Sequence, residues 1–128
     1  MSPNCRFFIF FGLLSMVTIG CTQHDRPELA SVSGTVTLDG QPLERAAVLF
    51  RPSEGRASRG FTDAEGRFEL IYLRDIQGAT LGNRQVSITT RTEMNPEERV
   101  PEKYNVRTTL TREVAEKHNE FEFSLESN

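Results

Sequence analysis

Tryptophan is absent from this 128-residue chain, histidine occurs twice, and cysteine occurs twice, at Cys5 and Cys21. Both cysteines lie within the first 21 residues, so whatever domain follows has no internal disulfide and must be held by its apolar core. His24 and His118 are too few for the several converging nitrogen or sulfur ligands of a zinc site, which removes that class of metal chemistry. Lysine is equally sparse, with Lys103 and Lys117 against 13 arginines, and acids and bases are interspersed to a formal charge of -3. No basic face advertises nucleic acid, and no acidic run advertises a basic partner. No serine sits in a Gly-x-Ser-x-Gly elbow, so the nucleophile motif of a hydrolase is missing. After residue 30 no segment approaches the ~20 apolar residues of a spanning helix.

What is present divides the chain in three. Met1 to Gly20 reads as a targeting segment: Arg6 supplies a short positive region, and Phe7 to Ile19 is a 13-residue apolar run, the length of a signal h-region. The run ends at Gly20-Cys21. Val17-Thr18-Ile19-Gly20-Cys21 resembles the lipobox of bacterial lipoproteins at Ile19, Gly20 and Cys21, with Thr18 standing where an aliphatic residue is usual. That resemblance implies cleavage between Gly20 and Cys21, lipidation of the Cys21 thiol, and a membrane-anchored protein of the cell envelope facing outside the cytoplasm. Loss of the leader leaves 128 - 20 = 108 residues and a charge of 14 - 18 = -4. Thr22 to Ala30, polar and interrupted by Pro27, reads as a flexible tether, with His24 solvated in it.

From Ser31 the pattern is that of strands. Ser31 to Leu38 alternates, with Val32, Val36 and Leu38 on one face, and Asp39-Gly40 suits a type I′ turn. Ala46 to Pro52 reads as a strand buried on both faces over Val48 to Phe50. Arg59 to Leu70 reads as a hairpin: Asp63 can open a type I turn, Gly66 can close it at positive φ, and Phe61, Phe68, Leu70 and Tyr72 would form one apolar face. Residues 74–83 read as a connecting loop. Arg84 to Arg91 alternates with Val86, Ile88 and Thr90 inward, and Val100 to Asn105 reads as a segment laid on the core by Val100 and Tyr104. Thr108 to Val114 is a further strand. Glu120 to Glu126 is the most regular, with Phe121, Phe123 and Leu125 inward and the glutamates outward, where they discourage edge pairing.

These elements predict an all-β protein, a seven-stranded antiparallel sandwich with Greek-key connections over residues 31 to 126. Val32 to Leu43, Ala46 to Pro52 and Thr62 to Phe68 resemble the carboxypeptidase regulatory-like, or transthyretin-like, domain, as found in small single-domain bacterial lipoproteins. The resemblance implies a prealbumin-like fold and an accessory or interaction module with no catalytic residue and no cofactor. Relatives that hydrolyse 5-hydroxyisourate use histidines, an arginine and a Tyr-Arg-Gly-Ser tail; this chain ends Leu125-Glu126-Ser127-Asn128. Calcium at Asp63 and Glu65 would lack ligands, and turn capping explains Asp63 better. A lysine-asparagine isopeptide, known in related adhesin domains, would need Lys103 or Lys117 in the core, whereas both read as loop residues. The expected role is therefore a lipid-anchored, non-enzymatic module contacting an envelope protein or glycan. The alternative expectation is a small-ligand carrier working as a transthyretin-like oligomer.

Overall fold

The computed structural model describes residues 27–128. Cys21, Gly20 and His24, and with them the leader and the cleavage site, lie outside the described residues.

The chain is all-β. Eleven strand segments follow in order: β1 Leu29–Leu38, β2 Gln41–Pro42, β3 Ala47–Arg51, β4 Ser58–Phe61, β5 Arg67–Glu69 and β6 Ile71–Leu73. They continue with β7 Ile76–Gln77, β8 Ala79–Thr80, β9 Gly82–Thr89, β10 Thr111–Val114 and β11 His118–Leu125. One 3-10 turn, Glu102–Tyr104, precedes β10. The strands form two sheets packed face to face as a β-sandwich. The six-stranded sheet runs β10-β9-β3-β4-β6-β7, and the five-stranded sheet is built around β1.

β1 is the strand on which the fold depends. Its ten residues exceed any other strand, and along one side it pairs with β11 from Ser31 to Leu38. Along the other side β8, β5 and β2 take turns, opposite Leu29–Ala30, Ser33–Thr35 and Thr37–Leu38. The alternation read from sequence is realised here, with Val32 and Val36 fully buried. The β1–β11 pair is parallel, so this sheet is not antiparallel throughout, as expected from the turn signals. Turns report on sequential neighbours, and these two strands are the first and last of the domain.

Between the sheets lies a core of Val32, Val36, Phe68, Phe123 and Leu125 from one side and Val48, Phe50, Val86 and Ile88 from the other. Phe50 stands edge-on to Phe123 at 6.3 Å between ring centroids, and Phe68 stacks on Phe123 at 6.2 Å. Gly34 makes room for this. A Cβ there would collide with the Phe121 carbonyl and stand 3.0 Å from the Phe68 ring. Over Val48 to Phe50 the burial is one-sided, Val48 and Phe50 pointing inward and Leu49 half-buried on the outer face, which corrects the two-faced burial expected there; on that outer side of β3 it is Ala47 that is buried. All described core residues fall between Ala30 and Leu125.

The Arg59–Leu70 stretch is not a hairpin. The turn itself is as read: the Gly66 N–H donates to the Asp63 carbonyl at 2.9 Å, and Asp63 Oδ1 accepts from the Glu65 and Arg67 N–H groups at 2.9 Å each. Its flanking strands part, however, because β4 pairs with β3 while β5 pairs with β1 in the other sheet. Thr62 decides this. Its N–H donates to the Ala46 carbonyl and its hydroxyl and carbonyl accept from the N–H groups of Ala46 and Arg45, so its polar groups are spent on the strand beside it. The chain then crosses back at Leu70, whose N–H donates to Val32, while Ile71 pairs with Arg59. Residues 74–83 are likewise more than a loop, since they hold β7, β8 and the start of β9.

Candidate functional site

The outer face of the six-stranded sheet carries the chemistry that the fold leaves unused. β4 alternates, Ser58 and Gly60 inward and Arg59 and Phe61 outward, and its register sets Leu49, Arg59 and Ile71 in one row across three strands. Ala47 and Phe61 form the next row. Phe61 is 54% exposed, which corrects its expected place on a covered apolar face; the signal was legible, since Arg59 two residues earlier shares its side of the strand. Ile71 and Leu73 of β6 are exposed beside it, and Met94 is 92% exposed on a turn closed by reciprocal backbone bonds between Thr92 and Asn95. Of the five large exposed hydrophobic residues among the described ones, four line this face, Val106 being the exception.

These side chains edge two shallow grooves. One, of about 710 Å³, is lined by Arg56, Arg59, Phe61, Ile71, Leu73 and Arg74 among others. The second, of about 580 Å³, is lined by Leu49, Arg59, Phe61, Arg91 and Met94, so Arg59 and Phe61 are common to both. The Arg59 guanidinium lies 5.9 Å from the Phe61 ring centroid and that of Arg56 lies 6.0 Å from Tyr72, within reach of a cation–π contact. The opposite outer face differs. There Ser33 and Thr35 of β1 stand between Glu120 and Glu122 of β11 and Glu69 and Arg67 of β5.

A second feature that sequence reasoning missed is Glu98. Its carboxylate accepts from the Thr90 N–H at 2.8 Å, the Thr90 hydroxyl at 3.0 Å, the Val100 N–H at 3.2 Å and the Thr89 hydroxyl. Burial opposes its ionisation, yet the hydrogen bonds from Thr89, Thr90 and Val100 together hold the carboxyl below its ordinary range. Nothing in the local pattern pointed to it, because its partners lie across a loop of no fixed period. Val100 is buried and Tyr104 packs on the core as expected, the Tyr104 hydroxyl accepting from the Glu126 N–H at 3.1 Å.

The turn residues stand where the sequence places them. Asp39 and Gly40 have φ of 54° and 84°, both positive as a type I′ turn requires, and Gly66 has φ of 78°. The Asp39 carboxyl is held low by the Ser127 N–H, which ties its turn to the segment after β11, and that of Asp63 by the Arg67 N–H, so Asp63 caps its own turn. Among the described residues no three or more histidine, cysteine, aspartate or glutamate side chains gather as for a metal ion. Ser31 Oγ lies 2.8 Å from His118 Nδ1, and His118 Nε2 lies 3.9 Å from Glu120. The Ser31 hydroxyl also lies 3.2 Å from the Lys117 carbonyl, and the imidazole is largely exposed, so the trio fastens the end of the β1–β11 pair to the turn before it. Lys103 and Lys117 are both exposed, Lys103 donating to the Asn128 carbonyl at 2.9 Å.

No family model matches this chain, and no curated protein matches it. Among solved structures it is similar to a DUF3823 family protein from Parabacteroides merdae, with 15% identity and a TM-score of 0.49. The match covers 78% of this chain and 47% of that one, so the chain spans about half the length of that protein.

Proposed function

We propose that this chain is a lipid-anchored, non-enzymatic module of the bacterial cell envelope, which works by contact with an envelope protein or glycan. The observation that carries the reading is the junction at Gly20-Cys21, where a 13-residue apolar run ends on a small residue and a cysteine. β1 begins at Leu29, eight residues after Cys21, a spacing that suits a short tether between an acylated cysteine and a folded domain. The resemblance of Val32 to Leu43, Ala46 to Pro52 and Thr62 to Phe68 to carboxypeptidase regulatory-like domains supports an accessory role. Burying acyl methylenes contributes ~0.8 kcal/mol each, so two or three chains on Cys21 would anchor the protein stably where one would not.

Labelling cells with a radioactive fatty acid tests this. Wild type should incorporate label and Cys21→Ala should not, with its domain still folded because every described core residue lies beyond position 29. Equal label on both proteins, or none on wild type, refutes the anchor.

A further inference from the structure

β11 stands at one end of the five-stranded sheet, and among the described residues only one of its two sides is paired. The Ser31 N–H donates to the Lys117 carbonyl at 3.1 Å and the Asp39 N–H to the Leu125 carbonyl at 2.8 Å, so the parallel ladder with β1 uses alternate residues of β11. Asn119, Phe121, Phe123 and Leu125 turn their backbone groups to β1. The N–H and carbonyl groups of His118, Glu120, Glu122 and Ser124 therefore point away from it, and no strand among the described residues pairs with them. The other strands at sheet ends, β2, β7 and β10, have two, two and four residues, against eight in β11. The core beside this edge is also incompletely covered. Phe121 is only half-buried although its ring lies 5.7 Å from that of Phe50, and the Arg112 guanidinium of β10 reaches to 4.8 Å from the Phe123 ring.

A row of unpaired N–H and carbonyl groups at strand spacing is a template for an extended polypeptide. The side chains on either side of it decide which one. Glu120 and Glu122 stand exposed on the outer face, beside the neutral Ser33 and Thr35 of β1, and Glu122 has no ion-pair partner among the described residues. Glu120 has His118, whose Nε2 lies 3.9 Å away. Two copies of this chain pairing antiparallel through the edge would set Glu120 and Glu122 against the same two residues, and like charges opposite each other repel. The glutamates thus keep the edge from its own kind, and they attract a strand that carries cations at the facing positions. We infer that the free edge of β11 receives an extended segment of a partner protein, with lysine or arginine at the alternate positions facing Glu120 and Glu122 and apolar side chains between them laid against Phe121. This rests on the proposed contact with an envelope protein, which it deepens, and not on acylation of Cys21.

Fluorescence anisotropy tests it, with the leaderless chain carrying Cys21→Ser titrated into a fluorescein-labelled octapeptide of alternating lysine and valine. The chain should bind this peptide, and bind about tenfold or more weakly both a glutamate-valine octapeptide and the lysine-valine peptide N-methylated on every backbone amide. The double variant Glu120→Lys, Glu122→Lys should reverse the preference between the two charged peptides. Glu54→Lys with Glu93→Lys makes the same change in net charge at exposed positions off the five-stranded sheet, and should leave the preference as it is in wild type. Far-UV circular dichroism establishes that each variant is folded; if the reversed one is not, Glu120→Gln with Glu122→Gln takes its place and should abolish the preference. No binding of the lysine-valine peptide, equal binding of its N-methylated form, indifference to Glu120 and Glu122, or an equal effect of the Glu54 and Glu93 pair would each overturn the inference. So would a dimer in sedimentation equilibrium that Glu120→Lys with Glu122→Lys dissolves, which would give the edge to a second copy. None of these outcomes alters what the fatty-acid labelling reads, so the edge and the anchor stand or fall separately.

Discussion

Gly66 holds a left-handed backbone conformation while its carbonyl accepts from the Val36 N–H at 2.8 Å, and a Cβ added there would stand 2.5 Å from the Val36 carbonyl. Two independent reasons therefore keep a side chain out, the φ of 78° and the contact with β1. Gly66→Val should cost about 1–3 kcal/mol through backbone strain alone. Urea denaturation checks this, and an unchanged midpoint would show that neither constraint operates. The turn chemistry of Asp63 and Gly66 was readable because it is local, set by residues three apart. What lay on either side of it was not, because the hydrogen bonds that pull Thr62 toward Ala46 join residues sixteen apart and leave no mark on the neighbouring sequence.

At the scale of elements the same division holds. β1, β9 and β11 were legible because each is long enough for period-two alternation to set its buried face, as Val86, Ile88 and Thr90 show. β7 and β8 have two residues each, too few for any period, so the stretch between Asp75 and Gly82 read as loop. The exposed apolar face was half legible: Arg59 betrays the side on which Phe61 lies, whereas the neighbourhood of Ile71 and Met94 arises only from pairing and loop closure. In the loop between β9 and the 3-10 turn Glu98 bonds Thr89, Thr90 and Val100, beside the Thr90 hydroxyl's contacts with the Glu97 carbonyl and the Arg99 N–H. Glu98→Ala should destabilise the protein by about 1.5–3 kcal/mol, the range for hydrogen bonds to a charged group. Its carboxyl is lower in the folded state than its ordinary value of 4.5, so the stabilisation is complete above that value and fades as pH falls through the folded one. Thermal melts of wild type and variant at several pH values should therefore differ most near neutrality and converge in acid. A gap that stays constant from neutral pH to pH below 4.5 would remove ionised Glu98 as the latch.

For the whole molecule the governing fact is that β1 and β11 pair in parallel across 87 positions of sequence, from Ser31 opposite His118 to Leu38 opposite Leu125. Closing a loop of that length costs entropy before any contact returns it, so a fold with this connectivity belongs among the slower ones, in the millisecond to second range. β11 also supplies Phe123 and Leu125 to the core and covers one side of β1 along eight residues. A chain of residues 27–117 thus lacks the ring against which Phe50 and Phe68 both pack, and it exposes the longest strand as an unpaired edge. It should show no cooperative thermal transition, while residues 27–128, which keep every described core side chain, should melt in one step. With no tryptophan in the chain, far-UV circular dichroism is the suitable probe. If the shorter chain melted cooperatively near the midpoint of the longer one, β1 would have to be satisfied by β8, β5 and β2 alone, and the parallel pair would be an accessory to the fold rather than its closing step.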